Sequence, residues 1–390
     1  MTELARVWSA QDFDAVSIRA NKCQVEVQGT DGGQVSLEGN FEGRAGHSPV
    51  LDVEGRWLKL NRFAHGSSQN LILKLPRDKD WVMDIFSGRG DIKVSGLRSR
   101  AHIVLGSGHV QVEDCRGRLA VSSGNADIQL KRFVQAEMPP SPPLPRESLH
   151  EAAGRAHWDW QDWEDTDWEE WGLDLGEKIT GWALGVGRFF ERTTINPQHA
   201  GLSIALGQGN IRCEGIESLA CLVRTARGNV SLEGGRIEDL EVITTRGDVE
   251  CASLMPVGGW SLRTMHGDIR LSLPANASAR LDAATRSGDI RSEIPVVRVA
   301  RQGPETYHGR RMVGMVGPQT ESKVPELRLS TLHGDIDIKS QPPVYPSPDI
   351  VVEVPAGRAY RTQLEVLEAL SEKHIGVAEA ERLLHDLKVS

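Results

Sequence analysis

The sequence predicts a mainly β fold. It reads as a parallel β-solenoid of about 19-residue two-strand coils, with an inserted amphipathic helix and a C-terminal αα-hairpin. The first observation behind this is a phrase that returns along the chain, as in Ser87-Gly-Arg-Gly-Asp-Ile-Lys-Val94, Thr245-Arg-Gly-Asp-Val-Glu250, Met265-His-Gly-Asp-Ile-Arg-Leu271 and Leu332-His-Gly-Asp-Ile-Asp-Ile338. The second is its period: within blocks, aligned copies step by between 18 (Gly90 to Gly108) and 21 residues (Gly267 to Gly288). The third is the pattern between copies. Apolar and polar residues alternate there with a period of two, as in Asn229-Val-Ser-Leu-Glu233 and Leu240-Glu-Val-Ile-Thr244, which is the signature of a half-buried strand.

Each copy centres on a glycine followed by Asp or Asn. The repeat-turn residues are Gly90 and Asp91, Gly108, Gly209 and Asn210, Gly228 and Asn229, Gly247 and Asp248, Gly267 and Asp268, Gly288 and Asp289, and Gly334 and Asp335; Ala126 takes the glycine place in one copy. Glycine tolerates positive φ, and an Asx side chain bonds nearby backbone, so the pair predicts a tight turn. Two short strands and two turns fill one flattened coil. An antiparallel meander folded into a sandwich is the alternative, but hairpin meanders rarely keep so constant a phrase. In stacked coils Asp248, Asp268 and Asp289 form an acidic column, unfavourable on its own. The residue before the glycine is often basic (Arg89, Arg227, Arg246, His266, His333), which predicts a compensating column beside it. The nine-residue Gly/Asp pattern of calcium β-rolls is absent, so turn chemistry is preferred to a calcium or anion site. Arg89-Gly-Asp91 and Arg246-Gly-Asp248 spell an integrin-binding tripeptide but are ordinary members of the repeat.

Residues 1–80 hold alternating runs without the phrase and are expected to cap the solenoid, because a bare end exposes strand edges and core. Repeats occupy 81–133 and 201–340, with a loop excursion at 294–325. Between the repeat blocks, 134–200 is an insertion. It opens with the polyproline-like Met138-Pro-Pro-Ser-Pro-Pro-Leu-Pro145 and continues into a stretch, 157–171, with seven acids and no Lys or Arg. There follows an apolar stripe at helical spacing: Trp168, Trp171, Leu175, Ile179, Trp182, Val186 and Phe189. Five glycines (172, 176, 181, 185, 187) interrupt it, each costing a helix ~1 kcal/mol against Ala, so the stripe is expected to dock. The solenoid flank, a membrane interface, and a self-association or partner face are its alternatives. A Pro-rich linker at 341–357 leads to a helical hairpin at 358–390, its sticky face formed by Leu364, Leu367, Leu370, Leu383, Leu384 and Leu387.

Composition excludes several functions. A net charge of −9 argues against a general nucleic-acid binder, which needs a basic field. The five cysteines are odd in number and show no Cys-x-x-Cys, so neither a disulfide framework nor a zinc site is read; Cys213 and Cys251 fall where other repeats place Val or Leu, and are expected in the core. No apolar run of about 18 residues is present. The first residues show no secretory signal, so a cytoplasmic location is expected, with peripheral contact to the inner membrane an open reading. No catalytic constellation, cofactor motif or metal motif is found.

The phrase Leu73-Lys-Leu-Pro76, followed by Ser87-Gly-Arg-Gly-Asp-Ile92 and the repeated Gly-Asp-Ile steps, resembles the bacterial "putative adhesin" β-strand-repeat domain of unknown function, over about 10–133 and 201–339. The tail, Leu364-Glu-Val-Leu-Glu-Ala-Leu370 with Ile375-Gly-Val-Ala-Glu-Ala-Glu-Arg-Leu-Leu384, is similar to the short SHOCT-like helical hairpin often attached to it, although Lys373-His374-Ile375-Gly376 departs from that module's usual turn. The resemblance implies a non-enzymatic protein, with some members linked to envelope stress, and supplies no catalytic residues. The expected function is a scaffold or interaction protein that self-associates or binds a protein partner through the Trp-rich helix or the hairpin. A secreted surface adhesin and a β-helix enzyme acting on polysaccharide are the alternatives.

Overall fold

The computed structural model describes residues 2–41, 50–63, 69–136, 200–298, 309–317 and 324–342. The chain divides into two units, Met1–Pro343 and Val344–Ser390, and the described residues all belong to the first. The Trp stripe from Trp168 to Phe189 and the hairpin leucines from Leu364 to Leu387 lie outside the described residues.

The repeats form a stack of parallel coils. Strands Asp80–Ser95, Arg98–Glu113 and Arg116–Lys131 pair in parallel and in unbroken register, Ile92 opposite Val110 and Val110 opposite Ile128. Each runs through its corner, at Gly90, Gly108 and Ala126, as one long bent strand. Alternation decides which side chains enter: Trp81, Met83, Ile85 and Ser87 point inward before the corner, Ile92 and Val94 after it. Stacking then builds continuous apolar columns. One runs Ile85, Ile103, Val121, Ile204, Val223, Val242, Leu262, Leu329 and Ala283, all buried. Another contains Val94, Val112, Leu130, Cys213, Leu232, Cys251, Leu271 and Ile338, so both expected core cysteines are core residues. A single coil cannot bury its inner face; its neighbours do so. Along Leu240–Thr245 the alternation stops and the outer face is buried too, with Ile243 and Met265 packed together there.

Sequence order and stack order part company at both ends. The last repeat, Glu326–His333 with Ile336–Gln341, does not close the stack. It lies between the coil at Trp260–His266 and the coil at Ala279–Ser287, pairing in parallel with each. The carboxylate column is therefore Asp248, Asp268, Asp335, Asp289, which corrects the order expected from sequence. The excursion at 294–325 supplies the end: Val296–Arg298 and Arg310–Val316 form an antiparallel pair, and the latter runs antiparallel to Ala279–Ser287.

A mirror of this arrangement stands at the other end. Ala15–Thr30, within the region expected to cap, is itself a coil of the stack. One side pairs in parallel with Asp80–Ser95; the other pairs with Trp57–Phe63 and Gln69–Pro76. Antiparallel strands then close the end: Val50–Glu54 on Trp57–Phe63, Gln34–Phe41 on Gln69–Pro76, and Thr2–Ser9 on Gln34–Phe41. Antiparallel strands thus cover both halves of the first end and the Ala279–Ser287 half of the other, and they do not offer the parallel register on which another coil would stack.

Charge fastens the first cap. Asp14 accepts from the Arg56 guanidinium (Nη2 at 2.7 Å) and pairs with Lys79 at 3.0 Å, while Lys79 also donates to the Ala10 and Phe13 carbonyls. The Arg56 hydrogen bond foremost, with Lys79 assisting, holds the Asp14 carboxyl down at about 2 from an ordinary 3.8. A depressed carboxyl stabilises the fold fully above its unfolded value and loses that contribution as pH falls through its folded value. Acid titration of the native chain should therefore loosen the N-terminal cap between about pH 4 and pH 2, and Asp14→Asn should remove that part of the transition; urea midpoints measured across this range check it.

The corner glycines give a second expectation. Gly228 has φ +139°, and a Cβ there would lie 1.7 Å from the Gly209 carbonyl oxygen of the adjoining coil, whereas Gly32, at φ +135°, has open space around it. Gly228→Ala should cost about 2–3 kcal/mol and Gly32→Ala about 1 kcal/mol, because only the first adds a clash to the backbone strain; urea denaturation of the two variants compares them.

Candidate functional site: the turn edge

The glycine corners stack into one edge of the solenoid. Gly90, Gly108, Gly209, Gly228, Gly247, Gly267, Gly334 and Gly288 all have φ between +125° and +155°. At Gly108, Gly209, Gly228, Gly247, Gly267, Gly334 and Gly288, a Cβ would meet the carbonyl oxygen of the neighbouring coil within 2.1 Å. At these positive-φ corners a side chain would keep the coils from the ordinary strand spacing of ~4.8 Å, whereas Ala126 fills the same place without positive φ.

The residue after the glycine completes the corner. Its side chain bonds the adjoining coil and not its own turn, which corrects the local Asx bond read from sequence. Asn210 Oδ1 accepts from the Asn229 amide (3.1 Å), Asn229 from Asp248 (2.9 Å), Asp248 from Asp268 (2.9 Å), Asp268 from Asp335 (2.9 Å) and Asp335 from Asp289 (2.8 Å). Asp127 accepts from Asn210 at 2.8 Å, and Asp91 from His109 at 3.1 Å. His109 has no carbonyl-like oxygen to continue the ladder. Its ring lies between two carboxylates instead, Nδ1 3.0 Å from Asp91 and Nε2 3.9 Å from Asp127. Threonines three residues before the glycine add a rung: Thr264, Thr331 and Thr285 donate to the carbonyls of Gly247, Gly267 and Gly334 at 3.0–3.1 Å.

The acidic column is neutralised by different residues from those expected. Arg270 reaches Asp248 at 3.1 Å and Asp268 at 3.0 Å; Arg291 reaches Asp289 and Asp335, both at 3.4 Å; Arg310 pairs with Asp289. Arg311, which lies in the segment expected as a loop excursion, pairs with Asp282. Arg270 and Arg291 sit two positions beyond the Asp in Gly-Asp-Ile-Arg, so alternation puts them on the same outward face, a signal the phrase itself carried. The basic residues before the glycine take no part. Arg227, Arg246, His266 and His333 stand in register, exposed, and form no ion pair among the described residues. The imidazoles of His266 and His333 stack with centroids 4.9 Å apart and planes 9° from parallel.

Toward the other end, the same edge opens into a groove of about 530 Å3. Its lining joins the polar Glu26, Lys93, His109, Gln111, Gln129 and Arg212 with the apolar Val25, Ile92, Val110 and Ile128 from successive coils. Among the described residues no cluster of three or more His, Cys, Asp or Glu is placed to hold a metal. The thiols offer no nucleophile: all five cysteines are free and buried, and burial pushes Cys23 and Cys221 up to about 12 and Cys115 to about 11.

The second corner of the coil escaped sequence reading. Gly96, Asp114, Arg132, Gly215, Gly234 and Ser253 take φ between +52° and +66°. Three of them are not glycine, so no constant residue marked the position. Asp114 and Arg132 join in a forked ion pair, Nη2 to Oδ2 at 2.7 Å.

These features place the molecule among repeat β proteins whose exposed edges are set by stacked turns. The chain belongs to the DUF4097 "Toastrack" family, whose profile matches residues 11–339. No curated protein matches it. Among solved structures, a "putative lipid binding protein" from Parabacteroides distasonis is 11% identical, with a TM-score of 0.31, 86% of this chain and 96% of that one being covered. A "putative adhesin" from the same organism is 8% identical with a TM-score of 0.29 (86% and 97%). A "putative cell adhesion protein" from Clostridium sporogenes is 9% identical with a TM-score of 0.18 (87% and 99%). Likenesses this low transfer no ligand and no site.

The ladder makes a sharp expectation. Asp268→Asn keeps the oxygen that accepts from the Asp335 amide and should stay within about 0.5 kcal/mol of the parent. Asp268→Ala leaves that amide unpaired at a half-buried position and should cost about 1–2 kcal/mol, as read by urea denaturation.

Proposed function

We propose that this chain is a non-enzymatic binding scaffold that works at the inner face of the cell envelope. The observation that carries this reading is the turn edge: polar and charged side chains held in register over many coils, on a backbone locked by the glycine contact and the Asx ladder. A rigid row of this kind suits an extended partner better than a small substrate. The carboxylates of Asp248, Asp268, Asp335 and Asp289 are engaged by arginines and ladder bonds, an arrangement suited to holding coils together and not to proton transfer. Attachment is assigned to the Trp-rich stretch at 157–192 and to the hairpin at 358–390, whose apolar stripes are read from sequence as faces for a membrane surface, a protein partner or a second copy.

Fractionation of native cells tests this. The full chain should sediment with membranes, and a variant lacking residues 157–192 should move to the soluble fraction. A full chain found wholly in the soluble fraction, binding no protein and remaining monomeric, would overturn the reading.

A further inference from the structure

We propose that the outward sheet face around Leu222, Ile243 and Met265 is the docking surface for the chain's own Trp-rich stretch, residues 157–192. This goes beyond the scaffold reading, because it says where that stretch rests when it is on no membrane and no partner. The face belongs to the strands that precede the glycine corner. Beyond the corner, the outward places are polar, as at Lys93, Gln111, Gln129, Arg212 and Ser231. Before it they turn small and apolar over five successive coils, at Ala205, Leu222, Ile243, Met265 and Leu332. Leu222 is 2% exposed and Ile243 7%, and Glu241, which also points outward, is 0% exposed. Among the described residues, the strands packed against these belong to the same or the adjoining coils. A sheet buried on its outward face as well as its inner one needs a further layer over it.

The insertion is the segment whose ends lie at this face. Described residues stop at Ala136 and resume at Ala200. Val134 and Gln135 pair beside Arg116 and Gly117, and Leu202 pairs beside Leu119 of that same strand. Ala200 already packs on Leu222. The chain thus leaves and returns at one margin of the face. Charge agrees with this. Over the coils from Arg98–Glu113 to Trp260–His266, Arg100, Arg118, Arg224 and Arg263 stand on the outward side of these strands. The outward acids there are Glu241 and Asp239, and Asp239 accepts from the Gly259 amide at 2.8 Å. Arg263 donates to the Ser261 hydroxyl at 2.9 Å and meets no carboxylate among the described residues. Residues 157–171 bring seven acids and no Lys or Arg. The apolar stripe from Trp168 to Phe189 would extend ~32 Å at helical rise, against ~30 Å for the coils from Val104 to Leu332 at strand spacing. The face also supplies the packing without which a stretch carrying five glycines would not hold a helix.

Thiol labelling of Ser261→Cys tests the assignment. Ser261 is buried within the face, the substitution is nearly isosteric, and the five native cysteines are buried. In the purified full chain the new thiol should react with a maleimide about tenfold more slowly than in the same chain lacking residues 157–192, since reaction then waits on local opening. Trp171→Ser with Trp182→Ser, which keeps the full length, should also speed the reaction. Ser231→Cys, outward on the sheet beyond the corner, should react at the same rate in all three backgrounds, and unchanged circular dichroism confirms that each is folded. Equal rates at Ser261→Cys in the full and shortened chains, an equal gain at Ser231→Cys, or a gain produced by removing residues 358–390 and not 157–192 would each overturn the docking. Fast labelling of the full chain, found together with membrane sedimentation that depends on residues 157–192, would remove the docking and leave the scaffold reading standing. Slow labelling in a chain that stays wholly in the soluble fraction of cells would uphold the docking and count against the membrane placement.

Discussion

The molecule depends on the contact made where one corner glycine meets the carbonyl of the adjoining coil. That contact forbids a Cβ, requires positive φ, and brings the coils to strand spacing. The Asx side chain then closes it by accepting from the neighbouring amide. Parallel β pairing alone leaves register loosely specified, and a one-residue slip would send the inner column of Ile and Val outward. The glycine and its Asx partner remove that freedom in most coils. The apolar columns supply most of the stabilisation, and the corner decides which columns form.

A stack built this way has the problem of ending. Parallel coils present edges on which a further coil can add, and this chain ends them twice with antiparallel strands. At each end, a coil remote in sequence from its neighbour is held second from the edge: Ala15–Thr30 at one end, Glu326–His333 at the other. The last repeat must join two coils that are joined to each other in sequence but are not paired. Such non-local closure is slow to form, and it ties the end of the repeat region into the body of the stack.

Electrostatics follow the same geometry. Stacking repeats any charge at strand spacing, so each exposed column is either neutralised or strained. The Asp column is neutralised by Arg270, Arg291 and Arg310, and the Asp114–Arg132 pair does the same at the second corner. The column before the glycine, Arg227, Arg246, His266 and His333, forms no ion pair among the described residues and stays exposed.

The repeat was plain in the sequence because most coils share one corner, with glycine at a fixed place, Asx after it, and alternating apolar residues on both sides; Ala126 and His109 are the departures within the repeats. Strand type, parallel stacking and the core places of Cys213 and Cys251 all follow from that local pattern. The second corner was hidden, since Gly96, Asp114, Arg132 and Ser253 reach the same φ with different residues. The counter-ions of the acidic column were hidden as well. They were sought one residue before the glycine, whereas a side chain two positions past the Asp lies on the same face and reaches it. Coil order follows the sequence through the middle of the stack but could not be read at the ends, because similar phrases pair equally well with any neighbour. The coil, its first corner and its core are thus written in the chain, being local matters of backbone conformation and side-chain alternation. Only the tertiary structure decided which coil lies beside which, how the ends close, and which charges meet, because those depend on packing between segments far apart in the chain.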